Sequence, residues 1–365
     1  MTQLSSSRAH IAIVGGGITG LVCALALAER GARVTVYESG PRAGEGALIK
    51  SGGMLAQGFE SANEKLGPAF NRLADIALSQ WPNWAQRIET LSGQPFGFRQ
   101  AGSLSPALND RDMAWVDDLA SGGSATTSRR LSVQEARRIE PELSPACVGA
   151  IHFPLDGEVD NRRLGPALVG AAQKAGVKVQ IGFRIESLET LDADAIILAT
   201  GFATETLMAE ITELAHIAPV RGQMLAFDGA GIMLTGSIRG ARIYLSQKGD
   251  GRIVAGATSE FGRTDDVLDA GTSTRLYEAA IEMLPRLASA SVIEEWVGFR
   301  PASPDGLPIL GASSQANIVL AQGVYRNGVL FAPAVGDAIA RHILDGDEID
   351  PAFDPRRFDK PLTPS

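Results

Sequence analysis

Residues 10–39, HIAIVGGGITGLVCALALAERGARVTVYES, read as one βαβ unit built to hold a dinucleotide. Ile11–Val14 is an apolar strand, and Gly15, Gly17 and Gly20 form a GxGxxG turn with Ile18 and Thr19 at the helix start. Leu21–Arg30 is an Ala/Leu-rich helix stopped by Gly31, and Arg33–Tyr37 is a second strand ending at Glu38. Each glycine meets a steric demand: a tight turn at Gly15, backbone approach to a pyrophosphate at Gly17, and close helix-on-strand packing at Gly20. The free N–H groups and the positive dipole end of the helix favour that anion. Glu38 stands where a carboxylate accepts hydrogen bonds from ribose hydroxyls and opposes a 2′-phosphate, which argues against NADP. The turn alone does not separate FAD from NAD.

A chain of 365 residues with 45% hydrophobic content suits two domains. The net charge of −9 and the lack of a Lys/Arg-rich run argue against nucleic acid. Cys23 and Cys147 form neither a metal spacing nor a disulfide framework, so no metal is expected and a reducing cytoplasm fits. Residues 1–9 are polar, and no run of 18 apolar residues occurs, so a soluble protein without an integral membrane segment is expected.

Outward from the first unit, residues 41–58 are rich in Gly and Ala, as in a flexible loop or a segment lying against a flat cofactor. Residues 63–91 carry a helical pattern with Phe70, Leu73, Ile76, Ala77, Trp84 and Ile88 inward and Pro82 as a break. Residues 93–105 read as short strands, and Ser132 with Glu135 as a capping box. A helix over 162–175 and a strand over 177–181 follow. Asp194–Gly201, DAIILATG, is a buried strand ending in a small turn, either plain core or a neighbour of the nucleotide. Residues 218–258 are β-rich, with ARIYLSQ and RIVAGAT as a hairpin around Gly249 and Gly251. A helix over 271–287, a strand over 317–321 and a last helix beginning near Pro333 complete the pattern. With no repeat and no linker, the domains are expected to interleave.

The motifs SGGMLA, DGEVDNRRL, ATG, VRGQM, IYLSQKGDGRIVAGAT, WVGFRPASPDGLPILG and YRNGVLFAPAVG, following a GxGxxG, resemble the D-amino-acid oxidase superfamily from about residue 10 to 347. Within it the chain looks most like the glycine oxidase branch, often linked to thiamine biosynthesis. The resemblance implies an α/β fold: a Rossmann-like FAD-binding domain of the glutathione-reductase type, interleaved with an antiparallel β-sheet substrate domain. It assigns 10–90, 150–215 and 300–365 to the former, and 91–149 and 216–299 to the latter. It also implies non-covalent FAD, held by the turn residues, Glu38, Ser51, Gly52, Gly53, Met54, Thr200, Gly201, Arg326, Asn327 and Gly328. Hydride would pass from the α-carbon of glycine or another small amino or imino acid to flavin N5, giving an oxo acid, ammonia and hydrogen peroxide. The alternative is a D-amino-acid or imino-acid dehydrogenase feeding a quinone or partner subunit. An even-numbered homo-oligomer is the family expectation.

Carried over by motif, Arg300 of GFRP matches the arginine that grips the substrate carboxylate, Tyr244 of IYLS a tyrosine reaching the same group, and Arg326 of YRNG an active-site loop position. On its own, Arg300 could be a solvated charge, but WVGFRP sets it at the end of an apolar strand. Tyr244 alone fits a half-buried strand aromatic equally well. Period-two alternation puts Arg242, Tyr244 and Ser246 on one face, so Arg242 is a candidate to meet a second acidic group. Lys50 departs from the small residues usual in this loop, and either stabilises an anionic flavin or is simply solvated. No histidine is placed as a base, and hydride transfer needs none.

Overall fold

Strands covered on both faces must be apolar throughout, and the run Ile11–Val14 and the segment Ala195–Leu198 meet that demand, all but Ile196 and Val14 being almost fully buried. The computed structural model describes residues 9–122 and 128–358, leaving outside them most of the polar stretch 1–9 and the end of the segment 300–365 expected in the FAD domain.

One sheet has the order β16-β17-β9-β1-β2-β8: Ile309–Ala312, Ile318–Gln322, Ala195–Leu198, His10–Val14, Arg33–Glu38 and Lys178–Ile181. It is parallel except for β16. Four helices share the apolar core on one face of it: α1 (Ile18–Glu29), α3 (Pro68–Ser92), α6 (Asn161–Lys174) and α9 (Gly328–Leu344). Helix α1 is buried nearly all round from Ile18 to Leu27, as a helix apolar on every face must be. Gly20 makes this possible, since a Cβ there would sit 1.9 Å from the Gly15 carbonyl oxygen.

The second sheet has nine strands in the order β14-β10-β13-β12-β11-β4-β6-β5, with β15 on the other edge of β10. These are Glu260–Phe261, Ala218–Phe227, Ile253–Gly256, Tyr244–Gln247, Ser237–Arg239, Ser103–Ala107, Gly149–Phe153, Arg129–Leu131 and Val292–Ala302. All pairs are antiparallel except β11 with β4. Helices α5 (Val133–Ile139) and α8 (Ala270–Met283) pack on this sheet, and α2 (Gln57–Glu64) and α4 (Asp110–Gly122) form a satellite core with β4 and β6. Helix α7 (Glu205–Glu210) borders β9, and the two-residue strands β3 (Met54–Leu55) and β7 (Gly157–Glu158) pair between the sheets. Strand β6 belongs to the second sheet although it opens the 150–215 segment, and β15 runs to Ala302 rather than ending at 299.

Several sequence expectations give way to tertiary packing. Helix α3 passes unbroken through Pro82, because burial of Trp81 and Trp84 on either side outweighs a cost of about 3 kcal/mol for an interior proline. In the same helix Ile76 is 49% exposed, and Trp81, Leu78 and Ala74 lie inward instead. Helix α9 starts at Gly328, five residues before Pro333, and carries that proline inside it. Helix α8 stops at Met283, since Leu284 precedes a proline and takes an extended conformation. Between 93 and 102 only an isolated bridge at Arg99 replaces the expected strands. The Ser132–Glu135 capping box is present.

Candidate active site

The two sheets enclose a cavity with Gly15, Gly17 and Glu38 at one end and Tyr244 and Arg300 at the other. At the first end, helix α1 begins with no side-chain cap and no acid in its first turn, so its leading N–H groups are free to meet an anion. A Cβ on Gly17 would touch nothing within 4 Å of the chain, which leaves that space to a ligand. The Glu38 carboxylate accepts from Gly16 N–H at 2.8 Å and Gly40 N–H at 2.7 Å, and is thereby fixed on the cavity wall.

Thr200 and Gly201 line the next stretch. Gln322 ties them to β17, donating to Thr200 Oγ1 at 2.9 Å and accepting from Gly201 N–H at 3.1 Å. Opposite lies the loop Ser51–Gly53, pinned from behind by the buried Lys248, whose Nζ donates to the Gly52 carbonyl at 2.6 Å and the Val159 carbonyl at 3.0 Å. Burial holds the Lys248 ammonium below its ordinary pKa. Asn327 and Gly328 bring a second uncapped helix N-terminus, that of α9, to the same cavity.

The far wall is the face of the nine-stranded sheet, and its missing side chains shape it. Arg300 stands opposite Val220 in register, and its guanidinium reaches across Gly222, where a Cβ would fall 2.6 Å from both terminal nitrogens. Its Nη1 donates to the Thr258 carbonyl at 3.0 Å, and no carboxylate pairs with it among the described residues. Burial draws its pKa down, but a guanidinium stays charged. Tyr244 leans over Gly256 so that its hydroxyl reaches Met224 Sδ at 3.6 Å, and a Cβ on Gly52 would lie 2.4 Å from that oxygen. Burial pushes the Tyr244 phenol up to about 12, against the opposing pull of Arg300. It therefore remains a donor across the physiological range.

Arg326 lines the cavity but is engaged, with Nη2 3.0 Å from Glu60 and Nη1 3.0 Å from Glu64, and Glu60 holds its pKa up. Glu60 itself is buried. Burial alone would raise its pKa, but Arg239 and Arg326 outweigh that and keep it ionised. Arg242 sits before β12 begins, so the alternation does not apply to it. It reaches the cavity mouth with its guanidinium 2.5 Å from Glu282, both side chains exposed. Ser246 is buried away from the cavity against Glu158. Lys50 is an exposed residue of the wall whose carbonyl accepts from Trp296 Nε1 at 3.0 Å. Gly20 packs behind the turn rather than lining it.

Arg239 and Glu60 escape the sequence reading. Arg239 lies directly opposite Tyr244 in the β11–β12 pairing, which becomes visible only once the tight turn over 240–243 is fixed. Helix α2, carrying Glu60, gives no signal that it faces a pocket. Among the described residues no histidine or cysteine lines the cavity, and no group of three His, Cys, Asp or Glu is suited to a metal.

Comparison with known proteins gives one family-model match, to the FAD dependent oxidoreductase family, over residues 10–342. The bifunctional protein ThiO/ThiG of Trichormus variabilis is 33% identical over 96% of the chain, which spans only 55% of that relative's length. A glycine oxidase of Geobacillus kaustophilus is 29% identical over 91% of the chain and 92% of its own length. The crystal structure of glycine oxidase from Geobacillus kaustophilus superimposes with a TM-score of 0.84, at 26% identity, over 96% of this chain and 99% of that one.

Proposed function

We propose that this chain, which belongs to the family of FAD-dependent oxidoreductases, oxidises a small amino or imino acid at its α-carbon. The proposed reaction takes amino acid, oxygen and water to oxo acid, ammonia and hydrogen peroxide. The carrying observation is Arg300, an arginine without a carboxylate partner among the described residues, beside the Tyr244 hydroxyl at the cavity end remote from the dinucleotide turn. The two uncapped helix starts, the open space at Gly17 and the fixed Glu38 fit the pyrophosphate and ribose of FAD. When bound, FAD supplies the two-electron acceptor for the hydride of the α-carbon.

The remaining work falls to the chain. Arg300 offers two parallel N–H groups to the substrate carboxylate, each charge-assisted bond contributing about 1.5–3 kcal/mol. Tyr244 donates to the same carboxylate, and its phenol keeps its proton because burial has lifted its pKa to about 12. Holding the carboxylate at two points fixes where the α-hydrogen lies, so rate comes from orientation. The amine loses its proton to solvent, since no wall histidine takes it. Glycine and its small relatives are the proposed substrates, supported by the named activity of the glycine oxidase relatives. A role beside thiamine biosynthesis is supported by the ThiO relatives. Action in the cytoplasm as an even-numbered homo-oligomer belongs to the same proposal. The cytoplasmic setting is supported by the two buried cysteines, which form no disulfide.

The test is anaerobic bleaching of the flavin band with glycine, sarcosine and D-amino acids, followed by admission of air. Bleaching with rapid recovery and peroxide is expected. Bleaching without recovery would replace oxygen by a quinone or partner subunit as acceptor, and no bleaching by any amine overturns the reading.

A further inference from the structure

The cavity does not end at Arg300 and Tyr244. It continues past Arg239 towards Phe59, Asn63 and Trp115, farther than a substrate without a side chain needs. Arg239 has 8% of its side chain exposed and stands directly across the β11–β12 ladder from Tyr244, so the two share a face of the sheet. Its Nη2 donates to Glu60 Oε1 at 2.6 Å, and its guanidinium carbon lies 3.8 Å over the Phe59 ring. The ring and the carboxylate fix the plane of the group. Nη1 has no hydrogen-bond partner among the described residues, and the residue lines the cavity, so a guanidinium only partly paired there points to a ligand acceptor.

Of the wall cations Lys50, Arg239, Arg242, Arg300 and Arg326, Arg239 and Arg326 are matched by Glu60 and Glu64, and Arg242 by Glu282. Glu45, also on the wall, is held by Arg42. Arg300 is left for the α-carboxylate, and the last positive charge of the wall is that of the exposed Lys50.

We infer that Arg239 is a specificity-determining residue that receives a second carboxylate, so the substrates this chain favours are dicarboxylic amino or imino acids. The inference rests on the amino-acid-oxidising reading above and narrows it. One carboxylate occupies Arg300 and Tyr244. The other accepts from the Arg239 guanidinium where it lines the cavity, and the amine between them stays open to deprotonation. The arm bearing the second carboxylate is attached either at the α-carbon or at the nitrogen.

The experiment is anaerobic flavin reduction by the holoenzyme with D-aspartate, D-glutamate and iminodiacetate, each set against the monocarboxylate that lacks its second carboxyl group: D-alanine, D-2-aminobutyrate and sarcosine. The expected preference for the diacid is about 10- to 100-fold in kcat/KM, and the favoured pair tells whether the arm sits on carbon or nitrogen. In Arg239→Met the diacid-to-monoacid ratio falls towards unity, and Arg239→Lys restores part of it. Because Arg239→Met also unpairs Glu60, the ratio is the readout rather than the absolute rate. A second measurement needs no variant: succinate should perturb the flavin spectrum of the wild-type holoenzyme at concentrations about 10- to 100-fold lower than propionate. Monocarboxylates that bleach the flavin as well as diacids, with equal succinate and propionate binding, overturn this inference and leave the proposed function standing. Failure of every amine removes both.

Discussion

Replacing Gly222 by alanine tests the site through its backbone rather than through a catalytic side chain. The new Cβ would lie 2.6 Å from Arg300 Nη1 and Nη2, whereas ordinary contact begins at 3.4 Å, so the guanidinium must move by about 1 Å. The clash is with the far end of a flexible side chain, and alanine suits an interior strand better than glycine does. Stability should therefore stay within about 1 kcal/mol of wild type. The carboxylate grip should not. A displacement of about 1 Å breaks the parallel geometry of one charge-assisted bond, worth about 1.5–3 kcal/mol, and turns the α-hydrogen away from its acceptor. Together these predict a loss in kcat/KM of about 10²-fold, with a rise in the Kd of a non-reacting carboxylate such as acetate accounting for about 10-fold of it. Stopped-flow reduction of the flavin gives the rate and spectral titration gives the Kd, with thermal melting of the holoenzyme as the control. A Gly222→Ala enzyme that melts as wild type and keeps its kcat/KM would refute the placement of Arg300 as the carboxylate anchor.

Tyr244→Phe should lower kcat/KM about 5- to 20-fold by removing one donor. It should leave the pH profile in place: with the phenol near 12, the rise in rate with pH between 7 and 10 follows loss of the substrate ammonium proton, so the apparent pKa tracks the substrate. A rise that vanishes in Tyr244→Phe would assign it to the phenol instead. Gly17→Ala and Gly20→Ala should separate ligand from packing. The first meets nothing in the chain and is expected to weaken FAD retention without lowering the melting temperature of the cofactor-free protein. The second meets backbone at 1.9 Å and should destabilise that protein by several kcal/mol, as measured by urea unfolding. Asp156→Ala removes the acceptor shared by Gly58 N–H at 2.7 Å and Ser103 Oγ at 2.6 Å, and should cost about 2–4 kcal/mol. Burial raises the Asp156 pKa to about 6, above its unfolded value. The folded protein therefore binds the extra proton between the two, and Asp156 makes stability rise as pH falls from about 6 towards 4. Urea midpoints of wild type and Asp156→Asn across that window check the sign.

Local signals in the sequence determined the nucleotide end of this protein. Strand, GxGxxG, helix and acid are consecutive, their demands are met by near neighbours, and residues 10–39 fold as read, with Glu38 on the cavity wall. The motif resemblance supplied the family and the FAD, and brought Arg300, Tyr244 and Arg326 into view as candidates, all three of which line the cavity. Tertiary structure alone decided the shape of the substrate end, because it is assembled from strands and a helix far apart in the chain. Arg239 meets Glu60 across 179 positions, and Arg326 meets the same carboxylate across 266. Period-two alternation selected Arg242, but a four-residue turn ended the strand short of it and handed the buried position to Arg239. Pro82 and Pro333 read as helix boundaries by local rule, yet both sit inside helices, where burial of their neighbours outweighs the lost hydrogen bond. Backbone preferences act within a few residues and can be read from them. Burial and pairing of side chains depend on which distant surfaces the folded chain presents to one another, and only the folded arrangement contains that information.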